Sequence, residues 1–275
     1  MILLVTRSTY WSRGRIEADA AIIESVQKEL QNRGYETELV SENKLCSNRT
    51  LFEQDNTPQV VLSMARNKAS LLALAALQYN GSTIINPVTA VNLCKTRSRQ
   101  WFVLKFINKN CLKASVFDSV EQLKNQWNSY PCWVKTDRKA FFVENRDCCP
   151  ELKGKIVVTE HINGCVVKFY AVGIQIVGWC YVSAANSRFG EISHNDSEHE
   201  YAFDLEQLNA LVKTVAEKTG LSVFGGDVIV SPSGTLTLID VNDWPSFSMC
   251  RETAAVRIAD MVQKECNIAE NGKEN

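Results

Sequence analysis

Glycine is scarce in this chain, 13 of 275 residues, far too few for a collagen-like repeat. There is no run of about 18 apolar residues, so no bilayer-spanning helix is expected. A basic surplus is also missing: 30 Lys and Arg stand against 31 Asp and Glu, a formal charge of −1. Sequence-independent nucleic-acid binding needs that surplus to displace phosphate counterions, so neither nucleic acid nor membrane is expected as a partner. The ten cysteines include no CxxC pair, which removes the framework of a zinc ribbon. The opening MILLVTRS meets Arg7 too early for the apolar core of a signal peptide. A cytoplasmic protein with reduced thiols is the expectation. What remains is ordinary globular composition, 45% hydrophobic and 22% charged, in a chain long enough for two subdomains or one large one.

The first 90 residues alternate strand and helix signals. An apolar run at Ile2–Val5 and strand-like segments at Glu36–Val40, Val60–Met64 and Thr83–Asn86 flank helical spacing at Ile16–Leu30 and Ala69–Gln78. This alternation predicts parallel strands with crossover helices, a small three-layer α/β unit. From residue 112 the texture becomes α+β. Strands are expected at Ala114–Phe117, Cys132–Thr136, Phe141–Glu144 and Lys155–Ile162, with a helix at Val120–Trp127. VVKFYAVG and IQIVGWCYV read as an antiparallel hairpin turned at Gly173. A helix over Leu205–Lys218 stops before Gly220, strands at Val223–Val230 and Leu236–Val241 flank Ser231-Pro232-Ser233-Gly234, and Ala254–Cys266 makes a last helix.

The sharpest chemical signal is GGDVIVSPSGTLTLIDVNDWPSF. Antiparallel pairing across its tight turn brings Asp227 and Asp240 to neighbouring positions. Asn242 lies two residues beyond Asp240, so the pleat gives both one face. Two carboxylates and an amide oxygen make a hard oxygen set suited to Mg²⁺, which takes few protein ligands beside phosphates and water. The alternative is a pair of surface acids on an apolar hairpin.

These residues resemble the metal-binding hairpin of the ATP-grasp superfamily, in particular its RimK-like acid–amine ligases and its inositol-trisphosphate 5/6-kinases. Three upstream segments resemble it in the same order. NPVTAVNLCKTRSRQWFVL is similar to the entry into the central domain, where an Asn-Pro precedes a basic ATP contact, here Arg97 or, in competition, Lys95. YPCWVKT supplies a phosphate-reaching Lys135, and IVVTEHINGCVVKFYAVG resembles the adenine hinge followed by a strand that carries Lys168.

The resemblance implies an ATP-grasp fold with subdomains at residues 1–90, 91–160 and 161–275. It implies ATP bound by Arg97, Lys135 and Lys168, with hinge backbone groups of Thr159, Glu160, His161 and Ile162 at adenine and the Glu160 carboxylate at ribose. One or two Mg²⁺ ions, or Mn²⁺ in their place, would sit on Asp227, Asp240 and Asn242. The implied activity is a carboxylate–amine ligase working through an acyl phosphate. A kinase acting on a hydroxyl and a non-catalytic nucleotide-binding module are the alternatives. The acceptor is then a small-molecule acid or polyol, and oligomeric state is left open.

Two departures stand out. The segment after Lys135, KTDRKAFFVEN, has no glycine where the superfamily folds a lid over phosphate, leaving Arg138 and Lys139 as cationic substitutes or a shorter lid. Gly164 occupies the place of the inositol kinases' His, and Trp179 and Tyr181 stand where an Arg is expected; Arg188 from the following loop is the substitute catalytic cation, beside Asn186 and Ser187. Ser246, in the turn after the metal hairpin, is the candidate substrate contact. HNDSEHE fits no metal template and reads as a hydrophilic loop, Cys148-Cys149 as a chance pair, and Cys94, Cys165 and Cys180 as core.

Overall fold

The computed structural model describes residues 1–12, 14–53, 56–108, 112–137, 139–182 and 199–271. Strands β1 (Ile2–Thr6), β2 (Thr37–Ser41), β3 (Val60–Ser63) and β4 (Thr83–Ile85) form a parallel sheet in the order β2-β1-β3-β4. Helices α1 (Ile16–Asn32), α2 (Glu42–Leu45) and α3 (Lys68–Tyr79) connect them. Alternation along β1 sends Ile2 and Leu4 to Ile22, Val26 and Leu30 of α1, and Leu3 and Val5 to Leu71, Leu74 and Leu77 of α3. That is the three-layer unit its sequence predicts.

Two helices follow, α4 (Val88–Cys94) and α5 (Arg97–Ile107), and lead into a second sheet. It holds β5 (Ala114–Phe117), β6 (Cys132–Lys135), β7 (Ala140–Val143) and β8 (Ile156–Glu160), ordered β5-β8-β6-β7 with every pair antiparallel. One face packs Cys132, Val134, Val143, Ile156 and Val158 against α6 (Val120–Gln126). The other face, with Trp133, Lys135 and Phe142, is left for the site.

The third sheet contains β9 (Cys165–Val172), β10 (Gln175–Tyr181), β11 (Val223–Val230) and β12 (Leu236–Asp243), ordered β10-β9-β11-β12. β9 and β10 form the expected hairpin, with Gly173 left-handed at its turn. Val167, Phe169, Phe224, Val228 and Leu238 point to α5 and to α7 (Leu205–Thr219), which Asp204 caps at its start and left-handed Gly220 ends. On the opposite face Tyr170, Val172 and Val223 meet α8 (Arg251–Asn271). The buried side of α8 also meets α1 and the first sheet, so this last helix is wedged between the first and third sheets. No helix among the described residues is long and apolar enough to cross a membrane.

Candidate active site

Asp227 and Asp240 are direct partners in the β11–β12 ladder, and Lys168 is the partner of Asp227 on β9. Three adjacent strands thus present three charged side chains in one row. Lys168 Nζ lies 3.4 Å from Asp227 Oδ1. Asp240 Oδ1 is 2.8 Å from Nη1 of Arg97, the first residue of α5. Lys135, at the end of β6, approaches from the second sheet near enough for Arg97, Asp240 and Asp227 to act on its charge. Asn242 shares the face of Asp240, opposite Gly225.

Electrostatics separate the two carboxyl groups. Burial drives Asp227 up, with Lys168 opposing and Asp240 reinforcing. Burial pushes Asp240 up as well, but the Arg97 guanidinium, Lys135 and Gln100 together hold that carboxyl below its usual value. Burial and Arg97 push Lys135 down to about 8 against the pull of the two acids. The donor set, two carboxylates side by side and one amide beyond, is of oxygen atoms alone and so suits a hard divalent cation.

Helix α5 does more than deliver Arg97. β12 is an edge strand, so its outer backbone groups lack a strand partner. Side chains of α5 take that place. Gln100 donates to Val241 O; Asn108 donates to Leu238 O at 2.8 Å and accepts from Leu238 N at 3.0 Å. Both side chains are buried, and they grip β12 on either side of Asp240. Sequence reasoning missed them. The signal was present, because Arg97, Gln100, Leu104 and Asn108 fall on one helical stripe.

Arg97 and Lys95, the competing choices for the ATP contact, go to different places. Lys95 Nζ sits 5.6 Å from the centroid of the Trp11 ring, beside the first sheet. Only Arg97 joins the carboxylates.

The glycine-free segment after Lys135 forms a tight hairpin. Thr136 N donates to Lys139 O at 2.8 Å, and β7 begins at once. Asp137 Oδ1 accepts from Arg97 N at 2.8 Å, which fastens the turn to the first residue of α5. The described part of the segment is thus a short turn; Arg138, half of the cationic alternative, lies outside the described residues.

At the hinge, the Glu160 and His161 N–H groups donate to Lys113 O at 2.9 Å and Pro131 O at 3.1 Å, so neither is offered to a base. Glu160 Oε1 accepts from Lys113 N at 2.7 Å rather than waiting for ribose. Thr159 is buried, with its backbone between β5 and β6, and Ile162 is half-buried beyond the strand. What this region turns to the cleft is aromatic: Trp133 Nε1 donates to His161 Nδ1 at 3.2 Å, and Phe142 meets the His161 ring edge-on at 5.2 Å. Such rings offer a base an apolar stacking surface.

On β10 the expectation needs correcting. Trp179 and Tyr181 pack with Phe203 on the core side, and the residue across from Lys168 is Cys180. Cys180 is thus a half-buried residue of the site face, whereas Cys94 and Cys165 are core as expected. Gly164 has φ +154°, and a Cβ there would stand 2.2 Å from Val230 O, so no His fits that position. Beyond β12, Trp244 and Phe247 are both buried and both left-handed, at φ 42° and 47°; they pin a turn on which Pro245 and Ser246 are half-buried. Arg188, Asn186, Ser187 and most of HNDSEHE lie outside the described residues.

No family profile and no curated protein matches the sequence. Solved structures do match along nearly the whole chain. A RimK domain ATP-grasp protein from Sphaerobacter thermophilus DSM 20745 is 17% identical, with a TM-score of 0.65 over 96% of this chain and 100% of that one. D-alanine–D-alanine ligase from Bacillus anthracis is 12% identical, with a TM-score of 0.70 over 98% and 99%. The ATP-grasp ligase PsnB, solved with a minimal precursor, Mg and ADP, is 13% identical, with a TM-score of 0.66 over 96% and 97%. At such identities the likeness establishes the fold.

Proposed function

We propose that this chain, a member of the ATP-grasp superfamily by its fold, is an Mg-ATP-dependent ligase that joins a carboxylate to an amine. The observation that carries the reading is the convergence of Arg97, Lys135 and Lys168 on the Asp227–Asp240 pair between two sheets. Three cations at one spot match the charge of a triphosphate, and preorganised charge of this kind is the main source of catalysis in phosphoryl transfer. Asp227, Asp240 and Asn242 would hold the metal, which when bound supplies further positive charge to the phosphate oxygens. The Trp133–Phe142–His161 surface and the Thr159–Ile162 segment border the base.

In this reading Lys135, Lys168 and Arg97 orient the γ-phosphate for in-line attack by an acceptor carboxylate oxygen. The new O–P bond forms as the bond to ADP breaks, giving an acyl phosphate. An amine then attacks the acyl carbon; inorganic phosphate leaves, the ammonium proton goes to solvent, and an amide remains. Ser246 and Arg188 are the proposed acceptor contacts. The ligase is favoured over a kinase for a polyanionic polyol because Gly164 has no room for a His, and the β10 residue on the site face is Cys180, not a cation. The structural neighbours named as ligases support the same choice.

Calorimetric titration with Mg-ATP, followed by turnover against pooled acids and amines, tests the proposal. ADP release that needs both an acid and an amine supports it. Phosphate transfer to a polyol without amine would replace it with the kinase, and tight binding without turnover would leave a nucleotide-binding module.

A further inference from the structure

The carboxyl ends of the first sheet's strands converge on the base of the metal hairpin. Arg7, after β1, donates through Nη2 to the carbonyls of Asp243 at 3.2 Å and Trp244 at 3.0 Å. Arg66, after β3, pairs with the Asp243 carboxylate through both Nη2 and Nε, the latter at 3.4 Å. Asn86, after β4, accepts from Ser222 N and Val223 N at 2.8 Å and donates to Val223 O at 2.7 Å, fixing the start of β11.

The arginines are themselves braced. Arg7 meets Asp19 at 3.3 Å, and Glu42, 1% exposed, accepts from the backbone N–H groups of Ser8, Arg66 and Asn67. The Asp243 side chain is wholly buried. It is the last rung of the β11–β12 ladder and follows directly on Asn242.

We propose that Asp243 is a positioning residue for the metal ligands. Clamped by Arg66 and Arg7, it fixes the end of β12 and therefore where Asn242 and Asp240 present their oxygens. The partners of Asn242 and Val241 on β11 are Gly225 and Gly226, and the α5 side chains that hold β12 reach Leu238 and Val241 but not Asn242, which leaves Asp243 as the side-chain anchor next to it. Neighbouring strand residues point to opposite faces, so a clamp on Asp243 sets the direction of Asn242. The assignment rests on the proposed metal site, and it makes the first sheet part of metal binding.

The test compares ADP affinity with and without Mg²⁺, by calorimetry, in the full chain. Asp243→Asn keeps the shape and removes the charge. It is expected to leave metal-free ADP binding unchanged and to cut the Mg²⁺-dependent gain in affinity about tenfold. Arg66→Gln is expected to do the same, and the double variant no more than either alone, because the two act as one unit. Arg66→Gln serves if Asp243→Asn fails to fold, with melting curves followed separately, and Arg66→Lys, which keeps the charge, is expected to retain most of the gain. Folded Asp243→Asn or Arg66→Gln protein with the full Mg²⁺ gain overturns the proposal, provided Asp240→Asn has lost it. If Asp240→Asn keeps the gain as well, the metal site itself is wrong, and the positioning role falls with it.

Discussion

Asp240 faces Asp227 because Ile239, the residue before it, has no partner on β11. On β11, Val228 and Gly226 flank Asp227; their partners on β12 are Leu238 and Val241, three residues apart instead of two. This one-residue bulge lets Leu238 and Val241 both enter the core under α5 and α7 while Asp240 turns to the opposite face. An unbulged strand would carry Asp240 inward with Leu238.

The bulge leaves no spare room. A Cβ on Gly226 would stand 2.4 Å from Asp240 O and 2.7 Å from the Phe169 ring. Gly226→Ala is therefore expected to cost about 1–3 kcal/mol, the usual range for overpacking. Urea denaturation measures it, and Mg²⁺-dependent nucleotide binding falls in the same variant as Asp240 is pushed aside. A variant as stable as the wild type would contradict the packing described.

The Arg97–Asp240 pair predicts an asymmetry. Asp240→Ala removes a proposed metal ligand and relieves Arg97, whose side chain is 28% exposed and can turn to solvent. The fold is expected to persist while Mg²⁺-dependent turnover disappears. Arg97→Met leaves the Asp240 carboxylate, 13% exposed, without its cation. Orphaning a buried charge costs about 3–5 kcal/mol, and partial exposure reduces that here to about 2 kcal/mol. Thermal melting of the two variants side by side checks the order; undiminished turnover in Asp240→Ala would sink the metal assignment.

Asp137 ties the turn between β6 and β7 to the start of α5. Asp137→Ala is expected to lower stability by about 1 kcal/mol, as loss of a helix-capping oxygen does. It also frees the Thr136–Lys139 turn, and protease cleavage there is expected to speed up without ATP and slow again with it. Cleavage indifferent to the substitution would show that Asp137 does not hold the turn.

Much of this was legible from residue patterns, and the limits have physical causes. Periodicity gave the parallel unit and the β9–β10 hairpin, and the tight turn brought Asp227 and Asp240 close, but only the bulge at Ile239 makes them direct partners. The Ile239 bulge was invisible, since an extra residue changes no composition. Gln100 and Asn108 read as ordinary polar helix positions until β12 proved to be an edge strand needing their amides. Arg7, Arg66, Glu42 and Asp243 are scattered over 237 positions and meet only through tertiary contact. Cys180 read as core with Cys94 and Cys165, whereas the irregular register of β10 on β9 between Ile176 and Gly178 puts it across from Lys168.

Lys135 gives the site a pH dependence of defined sign. In the ligand-free fold, burial and Arg97 bring its pKa to about 8, while Asp240 and Asp227 pull the other way; an unconstrained lysine titrates near 10.5. Between those values the unfolded chain holds more protons than the fold, so this group's contribution to stability improves as pH rises from about 8. Nucleotide binding has the opposite sign. A triphosphate beside Lys135 favours the ammonium form, so above pH 8 binding must take up a proton, and affinity is expected to fall by up to about tenfold per pH unit. Measured by calorimetry with ATP in EDTA, so that no metal adds its own charge, the wild type should hold its affinity from pH 6.5 to about 8 and lose it above. Lys135→Arg stays charged throughout and should flatten the profile. Lys135→Met should bind weakly at every pH, with no slope from this position. A wild-type affinity that stays constant to pH 9.5 would mean that Lys135 does not meet the phosphates, and the three-cation reading of the cleft would lose one of its members.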